Sequence, residues 1–376
     1  MKFKINRKHF SSALGQVSNI VGTRSTIPIL GNVLINAQDG TVSLTTSNLD
    51  VAIRLFIKAE VLAPGVITLP VKRLAAIVPS LPSEEVTVEI CGDNRVKVAS
   101  GSSTFQLHGI AAGEFPPLSQ LANQCSFSLE QGVLSKLLRK VAYAQSTDEN
   151  RYTLNGVFFN FAEQNLTLVA TDGRRLATAA HPLEVGAQGG SIILPAKTVA
   201  ELQRILADGG NGEVKVEFNE KQVSFIVQVT KDDKGLVDNV QLVSKVVEGT
   251  FPNFRQVIPK ETVNRVELER QLMFDALKRA QLVVSDKSTS VKVTFAENSL
   301  DISASSSEFG EANDKLAIAY EGEPVKIAFN PKYLMDPLEA LVDDKIYFEF
   351  KDEMSPGVVK NSEDFCCVVM PQRSSQ

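Results

Sequence analysis

The run best suited to recognition chemistry is Thr171-Asp172-Gly173-Arg174-Arg175-Leu176, which sets a carboxylate, two guanidiniums and an apolar side chain in succession. Glycine takes positive φ at no steric cost, so Asp172-Gly173 favours a tight turn. Such a turn would hold two arginines and a leucine at a fixed angle on the surface. Taken alone, it reads as a hairpin end with solvated charges. The other reactive side chains do not assemble into a catalytic set. His9, His108 and His181 stand at no metal-ligand spacing. Cys91, Cys125, Cys366 and Cys367 form no CxxC pair and no disulfide framework. Cys366 and Cys367 are adjacent in an expected strand, so they point to opposite faces and do not readily share a ligand. Neither a GxxxxGK[ST] loop, a strand-borne GxGxxG nor a GxSxG elbow is present. Gly209-Gly210-Asn211-Gly212 lacks the lysine and preceding strand of a phosphate loop and reads as a turn. Asp232-Asp233 reads as a solvated loop, and Asp343-Asp344 as the end of a helix. No nucleophile, base and orienting group are legible together, which counts against an enzyme and marks out no cofactor site.

The run has to be positioned by the hairpin before it. Gly156–Phe161 and Leu166–Ala170 alternate, and Glu163-Gln164-Asn165 joins them. This hairpin has relatives elsewhere in the chain. At the N-terminus Phe3 and Ile5 mark a strand. Phe10, Ala13, Leu14, Val17, Ile20 and Val21 follow with helical spacing, and Gly22 is expected to cap the helix. Leu30–Ile35 and Val42–Thr45 form a hairpin around Asp39-Gly40. Asp50–Ile57 and Gly65–Pro70 follow, then a short helix carrying Leu74, Ile77 and Val78. Strands over 86–90, 95–99 and 103–108 close the unit, and Phe115-Pro116-Pro117-Leu118 reads as a linker.

The same order then recurs, the signature of internal repetition. Phe127 and Leu129 take the places of Phe3 and Ile5, and Leu134, Leu137, Leu138 and Val141 those of the first helix stripe. Leu194-Pro195-Ala196-Lys197 repeats Leu69-Pro70-Val71-Lys72. A third copy opens with Val266 and Leu268, continues with Met273, Ala276, Leu277, Ala280, Val283 and Val284, and reaches its own joint at Asn330-Pro331-Lys332. Each copy is doubled internally: strand, helix, several strands, twice over.

The 376 residues exceed one ordinary core and imply two or three domains. With 43% hydrophobic and 22% charged residues, the composition is that of a soluble globular protein. No apolar run reaches the length of a membrane span, and MKFKINRKHF has no signal-peptide core, so no membrane association and a reducing cytoplasm are expected. The net charge of −5 argues against a generally basic nucleic-acid coat but leaves room for a local basic surface. Opposite the apolar stripes lie Lys72 and Arg73, then Lys136, Arg139 and Lys140, then Arg204, then Lys278 and Arg279. Arranged about one axis, these faces would add into a field that attracts phosphates without reading bases.

Several stretches resemble one family. MKFKIN, Thr26–Asn32, Tyr152–Gly156, Ala170–Ala177, Glu248–Phe254 and Val368–Arg373 are similar, in order and almost end to end, to the bacterial DNA polymerase III beta sliding clamps. The resemblance implies an α+β fold of three repeated DNA-clamp domains, at 1–123, 124–259 and 260–376. Each would hold two strand-helix-strands units, with helices lining a ring and sheets outside. It implies a homodimeric processivity factor that encircles double-stranded DNA without sequence specificity. Its partners would be a replicative DNA polymerase subunit, a clamp-loader ATPase complex, and other replication and repair proteins carrying clamp-binding peptides. A repeat scaffold that binds proteins without encircling DNA is the alternative; an enzyme using Asp172 and Arg175 in a cleft is a weaker one.

Carried over by matching motif, the partner-peptide pocket between the second and third domains comprises Leu154, Thr171, Gly173, Arg174, Arg175, Leu176, Pro252, Val257, Asn330, Tyr333, Met354, Val368, Val369, Met370, Pro371 and Arg373. Leucine, valine and methionine would form its floor, and arginine would offer hydrogen bonds at its rim. Gln256 stands in place of an expected arginine, and Ser288 where an aromatic occurs in the family; Ser374-Ser375-Gln376 extends past the usual end. For DNA the resemblance points to Arg24, Lys72 and Arg73 and to the loop from Asp148 to Tyr152, where an acidic Asp148 is ill suited to phosphate. For the dimer it points to an edge strand with Phe105 and Leu107 meeting the region of Leu282 and Val283.

Overall fold

The computed structural model describes residues 1–22, 27–118, 121, 125–162, 164–183, 189–207, 211–230, 234–285, 289–361 and 364–372. Arg24, Asp232, Asp233, Ser288, Arg373 and the 374–376 tail lie outside them.

One order, strand, helix and three strands, runs six times through the chain. The first pass is Lys2–Asn6, helix α1 (Arg7–Ser18), Asn32–Gln38, Thr41–Ser47 and Val51–Lys58, with a short extra strand, Glu60–Ala63, after it. The second is Gly65–Pro70, α2 (Val71–Ser80), Glu85–Ile90, Arg95–Ser100 and Ser103–His108. The third runs Cys125–Glu130, α3 (Gln131–Val141), Gly156–Ala162, Asn165–Thr171 and Arg175–Pro182. Next come Gly190–Pro195, α4 (Ala196–Ala207), Glu213–Phe218, Gln222–Gln228 and Leu236–Lys245. The fifth is Asn264–Glu269, α5 (Arg270–Gln281), Val291–Ala296, Ser299–Ser306 and Gly310–Ala317. The last is Val325–Phe329, α6 (Pro331–Ala340), Lys345–Phe350, Gly357–Lys360 and Phe365–Val369.

Helices form where apolar residues recur at three and four. Phe10, Ala13, Leu14 and Val17 of α1 are all buried, as are Met273, Ala276, Leu277 and Ala280 of α5. Asn6 starts α1 by accepting hydrogen bonds from Lys8 N at 2.9 Å and His9 N at 3.3 Å. The helix stops earlier than its apolar spacing predicts. Asn19 is the C-cap, and Ile20 and Val21 are buried beyond the helix end. Leu30 belongs to a 3-10 turn, Pro28–Gly31, because Pro28 favours a turn start before the strand can begin. Asp343 and Asp344 lie past the end of α6, and their carbonyls receive Arg270 Nε and Arg270 N.

The described residues cluster into two compact units, one from Met1–Ser135 and Lys197–Val246, the other from Lys136–Val185, Gly189–Ala196 and Val247–Gln376. The middle repeat is therefore shared. In the first unit, Leu236–Lys245 pairs antiparallel with Val51–Lys58 and completes an eight-stranded sheet; a five-stranded sheet accompanies it. In the second, Arg175–Pro182 pairs antiparallel with Phe365–Val369 in another eight-stranded sheet, beside a four-stranded one. Phe115, expected in a linker, is buried against Ile29 and Leu30. No helix among the described residues is long and apolar enough to cross a membrane.

Candidate functional site

The turn at 172–173 is built by its own side chains. Asp172 Oδ1 accepts Arg174 N at 2.8 Å and Arg175 N at 3.0 Å, while Thr171 Oγ1 accepts Gly173 N at 3.1 Å. Gly173 has φ +85°, a conformation that costs any residue with a Cβ. The turn is tied to the last strand by Met370 N, which donates to Arg174 O at 2.9 Å.

Side chains alternate across a strand, and this separates Arg175 from Leu176. Leu176 lies opposite Val368 in the ladder, and both enter one buried cluster with Val169, Ile193, Phe251 and Val358. Leu154, Val247, Phe254 and Ile258 pack on that cluster from its edge. Arg175 lies opposite Val369 and turns to the other face, the one that carries α6. There its guanidinium donates to Asp336 Oδ2 at 2.5 Å, Tyr143 O at 2.5 Å and Asp172 Oδ2 at 3.2 Å. It also lies over the Tyr333 ring, 4.6 Å from the centroid. Only 7% of the Arg175 side chain is exposed. Burial works against its charge, but the hydrogen bond and charge of Asp336, with Asp172, outweigh burial and raise its pKa. The expectation of a solvated or rim-bound Arg175 is therefore corrected: its donors are committed inside the protein. Arg174 is the exposed one, with its pKa raised by a hydrogen bond to Tyr333.

The structure thus sorts the expected pocket residues. Leu154, Leu176 and Val368 share the apolar cluster, and Thr171 and Gly173 frame the turn beside it. Pro252 and Val257 are exposed beside the packed Phe251, Phe254 and Ile258. Met370 is 41% exposed and Pro371 half-buried. Arg174, Arg175, Asn330 and Tyr333 line a separate polar recess of about 660 Å³, together with Asp148, Arg151 and Asp336. Asn330 also caps α6, accepting Lys332 N at 3.0 Å. Val369 is fully buried on the Arg175 face, so it does not join Val368. Met354 is exposed on the loop between Lys345–Phe350 and Gly357–Lys360 and belongs to neither group. Sequence reasoning missed Asp336, Tyr143, Ile193 and Phe254. Phe254 had a signal, the Phe251-Pro252-Asn253-Phe254 run; the others are distant in sequence.

Two thiols lie under this region. Burial pushes Cys366 up to about 11 and Cys367 up to about 12, and it also raises the Tyr143 hydroxyl. An unfolded thiol ionises near pH ~8.5, whereas these stay protonated in the fold. Their contribution is fully present below that pH and is lost as pH rises toward 11 and 12. Each should cost about 1.4 kcal/mol per pH unit in that window. Urea midpoints measured from pH 8 to 10.5 should fall, and less steeply in Cys367→Ala. An unchanged slope in that variant would contradict the assignment to Cys367.

Comparison with known proteins fits this architecture. The sequence matches three family profiles in order: DNA polymerase III beta subunit, N-terminal domain, over residues 1–119; central domain over 128–253; and C-terminal domain over 255–373. The chain belongs to the DNA polymerase III beta subunit family. The beta sliding clamps of Salmonella typhimurium and Escherichia coli K12 are each 33% identical over 377 residues, spanning 99% of this chain and 100% of the relative. Among solved structures, a sliding clamp from Bartonella birtlesii bound to griselimycin superposes with a TM-score of 0.90 at 32% identity, covering 99% of both chains. The DNA polymerase sliding clamp from Caulobacter crescentus gives 0.87 at 33% identity, covering 99% of this chain and 100% of that one.

The remaining expected residues of this beta subunit family member fall in both units. Lys72 and Arg73 are exposed on α2, and Lys72 Nζ donates to Gly22 O at 2.9 Å. Asp148 caps a turn at Asn150 N, and Tyr152 is 61% exposed. Several helix cations are already paired: Lys140 with Asp364, Arg204 with Glu201 and Arg279 with Asp314. Lys136, Arg139 and Lys278 are exposed. In the first unit, Phe105 is 37% exposed and Leu107 half-buried on Ser103–His108, an edge strand. In the second, Leu282 is 79% exposed at the end of α5 and Val283 half-buried.

Proposed function

We propose that this chain is a processivity factor: a homodimeric ring that encloses double-stranded DNA in the cytoplasm and tethers a replicative polymerase, with three domains at 1–123, 124–259 and 260–376. The observation that carries the reading is coverage by all three beta subunit profiles in order, on a chain whose six units repeat one strand-helix-strands plan. Exposed Lys72, Arg73, Lys136, Arg139 and Lys278 supply helix-borne charge for phosphates, with Arg24 as a further candidate. A sliding protein gains nothing from base-specific minima, so closure and sequence-neutral electrostatics hold it in place. The apolar edge at Phe105 and the exposed Leu282 suit a pairing of protomers that buries both. The cluster under Leu176 and Val368, with Met370 at its margin, suits extended peptides of the polymerase, the clamp loader and repair proteins. No step of this activity requires catalysis by the chain.

The test is retention on DNA after loading by a clamp-loader ATPase. The protein should stay on nicked circular DNA and be lost on linearisation. Leu282→Glu, which sets a charge in an apolar seam, should run as a monomer and fail to be retained. Equal retention on circular and linear DNA would favour a scaffold that never encircles DNA.

A further inference from the structure

The frame around the Asp172 turn is built a second time, in the first unit. Leu49 N donates to Ser47 Oγ at 3.1 Å, as Gly173 N does to Thr171 Oγ1 at 3.1 Å. Asp50 N and Val51 N reach Asn48 Oδ1 at 3.0 and 2.8 Å, as Arg174 N and Arg175 N reach Asp172 Oδ1 at 2.8 and 3.0 Å. Lys245 N donates to Asp50 O at 2.8 Å, matching Met370 N to Arg174 O at 2.9 Å. Ile110 N donates to Thr68 O at 3.1 Å, matching Val247 N to Ile193 O at 2.9 Å. Phe115-Pro116 stands where Phe251-Pro252 stands, and Ala52 faces Val243 in the ladder as Leu176 faces Val368.

The side chains on this second frame differ, and they leave a recess of about 130 Å³ lined by Leu49, Ala52, Phe115, Pro117, Val243 and the rim residues. Thr45, Ser47, Gln222 and Ser244 line it as well, so its wall is mixed polar and apolar, and its volume is of the order that takes one benzene-sized group. Leu49 is 50% exposed and held at φ +75°, a left-handed conformation unusual for leucine. Asp50 replaces Arg174 at the rim, and Lys245 replaces Met370. Those two pair at 3.0 Å while both remain exposed. The long lysine can swing into solvent and leave Asp50 to a ligand cation, whereas the short aspartate is fixed by its turn.

We infer that this recess is a second peptide-docking groove, taking an extended partner segment with one leucine-sized anchor next to a basic residue. The inference rests on the reading that the Leu176 cluster docks peptides. It adds that the two grooves share an anchor type and select opposite neighbouring charges, basic at Asp50 and acidic at Arg174.

Methyl NMR on the full-length protein tests it with two probes, acetyl-Gly-Leu-Lys-Gly-amide and its Glu counterpart. The Lys peptide should shift the Leu49 and Val243 methyls, binding about threefold more tightly there than the Glu peptide. Ala52→Phe, which fills the recess, should abolish those shifts, and Leu49→Gly, which restores the residue type of position 173, should strengthen binding. Shifts confined to the Leu176 and Val368 methyls would overturn the inference and leave the first docking site standing. No shift at either place would overturn both. Shifts at Leu49 and Val243 that survive Ala52→Phe would mark adventitious contact and also overturn the inference.

Discussion

Asp336→Ala is expected to destabilise the second unit by about 1–3 kcal/mol, the usual cost of leaving a buried hydrogen-bonding group short of a partner. Arg175 and Asp336 expose only 7% and 11% of their side chains, so neither charge is well hydrated. Removing the carboxylate leaves the guanidinium charge paired with Asp172 and held by Tyr143 O and the Tyr333 ring, but its N–H to Asp336 loses its acceptor and Lys332 loses that carboxylate. Asp336→Asn keeps an acceptor and should lose less. Arg175→Met with Asp336→Leu removes both charges of that pair, but Asp172, only 18% exposed, then loses its cation, so the recovery should be partial. Urea unfolding of the three variants checks this. The alanine and double variants falling together would show that packing, and not charge, sets the loss. Because Arg175 is adjacent to Leu176 in the strand, peptide affinity should also weaken in Asp336→Ala. Recovered stability without recovered affinity would identify the pair as the device that positions the docking strand.

What the sequence made legible follows from periodicity. The apolar stripes of α1, α3 and α5 and the alternating strands appear where their spacing predicts, because burial of one face dictates the pattern. The doubling of each repeat was legible for the same reason. Terminal details were not: α1 reaches its C-cap at Asn19 and α5 at Leu282 although apolar spacing continues, with Ile20 and Val21 buried without a helix and Val283 and Val284 half-buried beyond one. Phe115 carried no period and read as a linker, yet it anchors a small cluster. Sharing the dipeptide Phe-Pro with 251–252 was the available signal. The site was legible as a set of residues and not as a geometry. Alternation alone could have placed Arg175 and Leu176 on opposite faces. Nothing local could have named Asp336, which lies 161 residues from Arg175.

Met370→Glu should reduce the affinity for a polymerase-derived peptide by about thirtyfold or more, the loss typical of a residue central to binding. Met370 is 41% exposed at the strand end, its backbone already held by Arg174 O. A carboxylate there would be desolvated by an apolar anchor and left without a partner, the costly case. In the free protein the same carboxylate stays in water, so stability should change by no more than about 0.5 kcal/mol. Leu176→Glu would be a poor substitute test. Leu176 is 2% exposed inside the cluster with Val368 and Phe251, so a charge there would unfold the unit and lose binding for the wrong reason. The informative comparison is calorimetric peptide binding against urea stability and retention on circular DNA, all on Met370→Glu. Affinity lost with stability and retention intact would separate docking from encirclement. Unchanged affinity would remove Met370 from the docking surface and shift attention to the polar recess lined by Arg174 and Tyr333.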